Sequence, residues 1–319
     1  MKISCVEPLG ISEEQFEQLK SEFAANGHSF EYFMDRNETP EILVDRMADA
    51  DIVVISNIKL SADTLSQCPN LKFLSVAFTG LDHIDLAYCK EHNIEVRNAA
   101  GYSTVAVSEL AVGLMLDVLR HVTELHQNTL LGMTREGFLG RELHGKTVGV
   151  VGTGAIGTAT IRLLIAFGCK VLAYSRTERD EVKAMGAQYV TLEQLLKESD
   201  IVTLHVPLTA ETTHLIDVEQ IKLMKESAIL INTARGNVIN IPALASALYQ
   251  GRIAGAGIDV YNHEPCTDSP LMGCPNAVLT PHQATSTTEN GVLMSMVAAQ
   301  NVLDWAAGCP DPRRVVVSA

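Results

Sequence analysis

Apolar residues recur along this chain in two rhythms. Short runs, KISCV from Lys2, DIVVI from Asp51, KFLSV from Lys72 and IEV from Ile94, read as strands. After the first of them, SEEQFEQLKSEFAANG reads as a helix, with Ser12 as N-cap, glutamates in its first turn and Gly27 as its stop. Strand and helix in alternation imply a parallel sheet covered by helices on both faces.

From Ser103 to about Leu131 the rhythm changes. VAVSELAVGLMLDVLRHVTELHQNTLL reads as one long helix, apolar on nearly every side over its first half. Such a helix must be buried all round. It fits the core of the chain, and equally a wedge between two domains or two subunits. A polar connection, GMTREGFLGRELHGK, follows, and then a second series of strands: TVGVV, KVLAY, DIVTLHV, AILIN, IAGAGIDV and AVLT. These are more uniformly apolar, as central parallel strands should be. A last helix, about Ser286 to Ala307, has no following strand in that series. It is expected to cross back to the first domain, with RRVVV finishing there. The fold class is therefore α/β, with two doubly wound parallel-sheet domains, Rossmann-like or flavodoxin-like, and a cleft between them. The expected boundaries are 1–98 for the first domain, 99–284 for the second and 285–319 for the returning segment.

Composition narrows the partners. The 319 residues suit two domains, and 47% apolar content suits well-buried cores. A formal net charge of −14 disfavours nucleic acid and anionic membrane surfaces, which need a basic face. MKISCVEPLG is no secretory signal, and the uncharged apolar run Thr147 to Ile161 is too short and glycine-rich to span a bilayer. Seven cysteines without a C-x-x-C pair read as reduced thiols in a cytoplasmic protein, Cys266 among them as a passive one. The histidines show no metal-ligand spacing, so no metal is expected.

The first chemistry lies in GKTVGVVGTGAIGTATIRLLIAFG. Gly152, Gly154 and Gly157 have G-x-G-x-x-G spacing between an apolar strand and an apolar helix. In that context the motif reads as a dinucleotide-binding turn. Gly152 permits the tight turn, Gly154 lets backbone approach a pyrophosphate, and Gly157 lets helix pack on strand. The helix start, with Ala155 and Ile156, offers free N–H groups to the phosphates. The next strand ends at Tyr174, so the residue facing the adenosine ribose is Ser175, followed by Arg176 and Thr177. An acid there would bind both ribose hydroxyls and repel a 2′-phosphate. Serine does not repel, and Arg176 can fork onto phosphate oxygens. NADP is the expected cofactor, with NAD as the alternative.

Later stretches carry a resemblance. INTARGNVIN (231–240), GIDVYNHEP (257–265) and LTPHQATSTTENGV (279–292) come in order after NAAGYSTVAVSELAVGLM, ELHGKTVGVVGTGAIG and HVPLTAETTHLI. Together they resemble the D-isomer-specific 2-hydroxyacid dehydrogenase family over nearly the whole chain. The resemblance implies an NAD(P)-dependent 2-oxo acid reductase, with Arg235 on the substrate carboxylate and carbonyl, and Glu264 paired with His282. The chemistry asks for these residue types. A guanidinium can hold a carboxylate and the adjacent ketone oxygen in one plane. Reduction builds negative charge on that oxygen, and histidine is suited to deliver the proton. A carboxylate behind the imidazole fixes its tautomer and favours the imidazolium. Taken singly, Arg235 would be a surface ion pair, Glu264 solvated and His282 a structural hydrogen-bonder. In this order, after a dinucleotide turn, they point to catalysis.

The resemblance implies more. SVAFTGLDHID matches the family's glycine-rich substrate loop, here Val76, Ala77, Phe78, Thr79 and Gly80, whose backbone N–H groups hold the carboxylate. Phe78 stands where relatives often have a small residue, which narrows or lines the pocket. Asp259 matches an aspartate on the nicotinamide side of the cofactor; by itself it reads as a strand-end turn former. His205, Pro207, Thr233 and Ala234 lie along the cofactor at strand ends, His205 as a contact rather than an acid or base. The family usually dimerises through its cofactor domain, so a homodimer is expected. Two relatives on the same fold mark the alternatives: phosphite-oxidising enzymes with the same triad, and dinucleotide-sensing transcriptional co-repressors. Which 2-oxo acid is used does not follow from the residues, because one methylene is worth only about 1–3 kcal/mol.

Overall fold

A computed structural model describes residues 1–309, 311, 312 and 314–318. It resolves into two compact units, Met1–Ser103 with Ser286–Ala319, and Thr104–Thr285.

In the first unit the chain runs β1 (Lys2–Cys5), α1 (Glu13–Ala25), β2 (Ser29–Tyr32), α2 (Pro40–Met47), β3 (Ile52–Ile55), α3 (Ala62–Leu65), β4 (Phe73–Val76), α4 (Leu86–Glu91) and β5 (Glu95–Asn98). In the second it runs α5 (Thr104–Arg120), α6 (Val122–Leu130), β6 (Thr147–Val151), α7 (Ala155–Ala166), β7 (Lys170–Tyr174), α8 (Asp180–Ala184), β8 (Gln188–Tyr189), α9 (Leu192–Glu198), β9 (Ile201–Leu204), α10 (Val218–Leu223), β10 (Ile229–Asn232), α11 (Ile241–Tyr249), β11 (Gly255–Ile258) and β12 (Ala277–Leu279). The first unit is completed by α12 (Thr288–Ala306) and β13 (Val315–Val317).

Each unit is a sheet wound in two directions. The first has the order β13-β5-β4-β3-β1-β2, parallel except for β13, which runs antiparallel beside β5. The second has the order β12-β11-β10-β9-β6-β7-β8, parallel throughout. Both are the doubly wound α/β architecture that the alternating pattern implies. The central strands β3, β4, β9, β10 and β11 are buried at every position. That is why they read as continuous apolar runs.

Helix α1 starts at Ser12, whose hydroxyl accepts from Gln15 N while the Gln15 side chain accepts from Ser12 N. This reciprocal cap satisfies two donors that the first turn leaves open. In the same unit α12 is pinned to the sheet: Ser75 Oγ donates to Ala298 O at 2.8 Å, and Trp305 stacks on Phe73.

One expectation fails. The stretch from Ser103 to Leu131 is two helices, broken at His121, which takes the left-handed conformation at φ 54°. The Asp117 carboxylate accepts from both Thr123 N and Thr123 Oγ1, and His121 Nδ1 meets Glu124 at 2.8 Å. These bonds reward the break, while the apolar pattern runs through it unchanged. Only α5 is heavily buried; α6 buries no residue. Two strands escape the sequence pattern, β2 and β8. β2 alternates half-buried and exposed positions at a sheet edge, and β8 is two residues long.

Candidate active site

The second sheet changes winding direction between β6 and β9, and ligands in such sheets bind beyond the carboxyl ends of the strands at that point. A cleft of 390 Å³ opens there. Gly152, Thr153 and Gly154 follow β6, Ser175, Arg176 and Thr177 follow β7, and His205 and Pro207 follow β9; all line the cleft.

The glycines meet different demands. Gly152 turns at φ 96°. A Cβ on Gly157 would lie 2.0 Å from Gly152 O, so only glycine lets α7 sit this close to the end of β6. Around Gly154 there is open space for a ligand. No side chain caps the start of α7, which leaves its first N–H groups, at Ala155 and Ile156, for an anion. At the end of β10 the Thr233 hydroxyl is buried without a hydrogen-bond partner in the protein. Uncapped amides, open space and an unmet polar atom fit a bound dinucleotide.

The edge of the cleft also holds residues that the glycine pattern does not place: Arg179, Thr209, Glu211, Thr212 and Leu215. Glu211 carries the acid nearest to Arg176 in the lining. Its carboxyl is held below the usual range, first by the Thr209 hydroxyl and, more weakly, by the charge of Arg176. Glu178 pairs with Lys183 at 2.7 Å. The His205 imidazole bonds Thr203 Oγ1 at 3.0 Å, and burial pushes its pKa down to about 4. It is neutral at physiological pH, which suits a contact and not an acid. The segment HVPLTAETTHLI directly follows β9, so the strand-end rule could have pointed to Thr209 through Leu215.

Three neighbouring strands carry the other candidates. Arg235 follows β10, Asp259 and Glu264 follow β11, and His282 follows β12. Asn232 shapes the first turn: its side chain accepts from Ala234 N and donates to Arg235 O. Arg235 Nη1 donates to Ala234 O at 2.8 Å. A Cβ on Gly236 would lie 2.2 Å from the carbonyl carbon of Tyr261. Glycine at 236 therefore lets the arginine turn press against the segment that leads to Glu264.

His282 Nδ1 lies 2.6 Å from Glu264 Oε2, and Glu264 Oε1 accepts from Tyr261 N at 3.1 Å. Both side chains are partly exposed. Asp259 is fully buried, and its carboxylate accepts from Thr280 Oγ1, Gln283 N and Ala284 N at 2.7, 2.8 and 3.0 Å. It thus holds the backbone on both sides of His282, which sits at φ 53°. Tyr261 Oη joins the same ends, within hydrogen-bond distance of Ile258 O and Thr280 O, and burial foremost pushes its phenol up to about 12.

In the first unit, Val76 and Ala77 are buried at the end of β4, while Phe78 and Gly80 are half-buried and Thr79 is exposed. The Phe78 ring lies 6.4 Å from His83 and 6.3 Å from Tyr102, and Phe78 O accepts from Ala99 N. All seven cysteines are free. Among the described residues no helix is long and apolar enough to cross a membrane.

Comparison with known proteins gives these features a context. The model of the D-isomer specific 2-hydroxyacid dehydrogenase NAD-binding domain matches residues 112–284. A glyoxylate reductase of Thermococcus litoralis is 38% identical over 299 residues, covering 90% of each chain. A D-2-hydroxyisocaproate dehydrogenase structure superimposes with a TM-score of 0.83 at 31% identity over all of both chains. An acyclic imino acid reductase, solved with NADPH and D-Arg, does so with 0.88 at 30% identity, covering 99% of this chain and 100% of its own. Match, fold and sequence order agree: the chain belongs to the D-isomer-specific 2-hydroxyacid dehydrogenase family and is an NAD(P)-dependent oxidoreductase acting on CH–OH donors.

Proposed function

We propose that this chain reduces a small 2-oxo acid to the D-2-hydroxy acid, with NADPH as the preferred cofactor. The observation that carries the reading is the 2.6 Å pair of His282 and Glu264, which follow the next two strands in order beside the strand that bears Arg235. Arg235 holds the substrate carboxylate and ketone oxygen through its planar fork. His282 Nε2 delivers the proton to the oxygen that becomes an alkoxide, and Glu264 keeps the ring in the tautomer this requires. When bound, a reduced nicotinamide supplies the hydride to the carbonyl carbon. Gly152, Gly154, Ala155, Ile156 and Gly157 take its pyrophosphate, and Ser175, Arg176 and Thr177 its adenosine ribose. His205, Pro207, Thr233, Ala234 and Asp259 line its course. In this reading the unit of Thr104–Thr285 is the cofactor domain, and the other is the substrate domain, which carries the loop Val76 to Gly80.

The substrate is proposed to be glyoxylate-sized. Curated relatives are named glyoxylate reductases, and Phe78 stands in the loop where the family resemblance has a small residue. Exposed apolar side chains at Val105, Val122, Leu130, Leu131, Met133 and Leu139 support a homodimer formed through the second unit. The acidic balance and the free cysteines support the cytoplasm as its place.

The test is steady-state kinetics with glyoxylate, hydroxypyruvate, pyruvate and a branched 2-oxo acid, each with NADPH and NADH. Turnover of glyoxylate that disappears in His282→Ala supports the reading. Absence of turnover with every 2-oxo acid overturns it.

A further inference from the structure

We infer that Tyr189 is a positioning residue that sets the discrimination between phosphorylated and unphosphorylated cofactor, by tying the glycine turn to the arginine-bearing loop after β7. The inference rests on the proposed assignment of Ser175 to Thr177 to the adenosine ribose. Tyr189 Oη donates to Thr153 Oγ1 at 2.8 Å and accepts from Arg179 N at 3.1 Å. One hydroxyl thereby joins the middle residue of Gly152-Thr153-Gly154 to the residue that opens α8. Thr153 is buried and is itself anchored, its carbonyl accepting from Thr158 Oγ1 in α7. Arg176 to Asp180 are exposed without exception. The loop that carries both cleft arginines is thus tethered, through Tyr189, to buried Thr153 in the glycine turn.

The two ends of this tether face different parts of the ligand. The glycine turn meets the pyrophosphate, which both cofactors share. The loop from Ser175 to Arg179 meets the 2′ position, the only place where they differ. A charged fork binds phosphate well only when its backbone is held in place, since ordering a free loop opposes binding. Loss of the tether should therefore weaken NADPH and leave NADH nearly untouched. Tyr189 also lies at the edge strand β8, and the Lys183 ammonium, which pairs with Glu178 of the same loop, stands 5.9 Å from its ring centre.

The experiment measures dissociation constants of NADPH and NADH, by nicotinamide fluorescence, on wild type, Tyr189→Phe and Thr153→Val. Phenylalanine keeps the ring and removes only the hydroxyl; an unchanged Tm establishes that the fold is intact. The NADPH constant is expected to rise roughly tenfold in Tyr189→Phe, the worth of one or two hydrogen bonds, with the NADH constant within about threefold. Thr153→Val should shift the ratio in the same direction by less, because Arg179 keeps its partner. The ratio is measurable whichever cofactor the wild type prefers. A wild type that binds NADH more tightly overturns the cofactor assignment. A ratio unmoved by Tyr189→Phe, whether both constants stay or both rise together, overturns the role of Tyr189.

Discussion

His282 Nδ1 and Glu264 Oε2 stand 2.6 Å apart, although 18 residues separate them and they follow different strands. The second oxygen of Glu264 is occupied by Tyr261 N. The carboxylate is therefore fixed at both oxygens, and it in turn fixes one ring nitrogen of the histidine. Nε2 is the ring nitrogen that the proposed mechanism gives to the substrate.

From this arrangement Glu264→Gln should reduce kcat at least roughly a hundredfold, because an amide can present N–H to Nδ1 and so select the wrong tautomer. His282→Ala should cost at least as much. In both variants the dissociation constant of the cofactor is expected to stay within about twofold. Turnover measured beside cofactor binding checks this, and a glutamine variant that keeps most of its turnover would remove the pair from catalysis.

Arg235→Lys should fail as a conservative change. The ammonium keeps the charge but loses the fork that orients carboxylate and ketone together. KM for the 2-oxo acid should rise and kcat should fall, each by roughly tenfold or more. Saturation kinetics give both numbers. An unchanged KM is incompatible with Arg235 as substrate anchor.

Gly236→Ala tests how the arginine turn is seated. The added methyl would meet the Tyr261 backbone at 2.2 Å, which cannot swing away as a flexible side chain would. Overpacking of this kind costs about 1–3 kcal/mol. The turn and the Tyr261–Glu264 segment should separate, lowering both Tm and kcat. Thermal unfolding and turnover on one preparation decide the matter; a variant with wild-type values in both would show that the close approach is dispensable.

Much of this was readable in the sequence, for definite reasons. A dinucleotide turn needs glycines at fixed spacing between a strand and a helix, and Gly152, Gly154 and Gly157 stand there. Strands buried on both faces leave unbroken apolar runs, so β6, β9 and β10 could be seen without a structure. The break at His121 could not, because the bonds that favour it come from Asp117 and Glu124 while the apolar pattern continues. Nor could Tyr189, since β8 is too short to show a period. Asp259 was visible as a strand-end acid, but its three partners in 280–284 depend on β11 and β12 lying side by side. Patterns along the chain report local geometry and burial; they do not report which distant backbone donors converge on one carboxylate.

The strand end after β7 offers the sharpest test of cofactor choice. Ser175 follows Tyr174 directly, and both line the cleft with Arg176 and Arg179. Among the nearby acids, Glu178 is engaged by Lys183. Ser175→Asp would place a carboxylate next to the 2′ position, where it repels a phosphate of nearly two negative charges and accepts hydrogen bonds from a free ribose hydroxyl. kcat/KM with NADPH should fall, and with NADH it should hold or rise. Arg176→Ala should weaken NADPH selectively, because a hydrogen bond to a charged group is worth about 1.5–3 kcal/mol, or roughly 10- to 150-fold. That loss is deepened, since removing Arg176 also removes the charge that partly neutralises Glu211, another residue of the cleft lining, and leaves its carboxylate unopposed. Arg176→Ala combined with Glu211→Gln should therefore bind NADPH better than Arg176→Ala alone. The measurement is kcat/KM for both cofactors on wild type, the single variants and the double. A wild type that already favours NADH, with a ratio that neither Ser175→Asp nor Arg176→Ala alters, would mean that this strand end has no part in the choice.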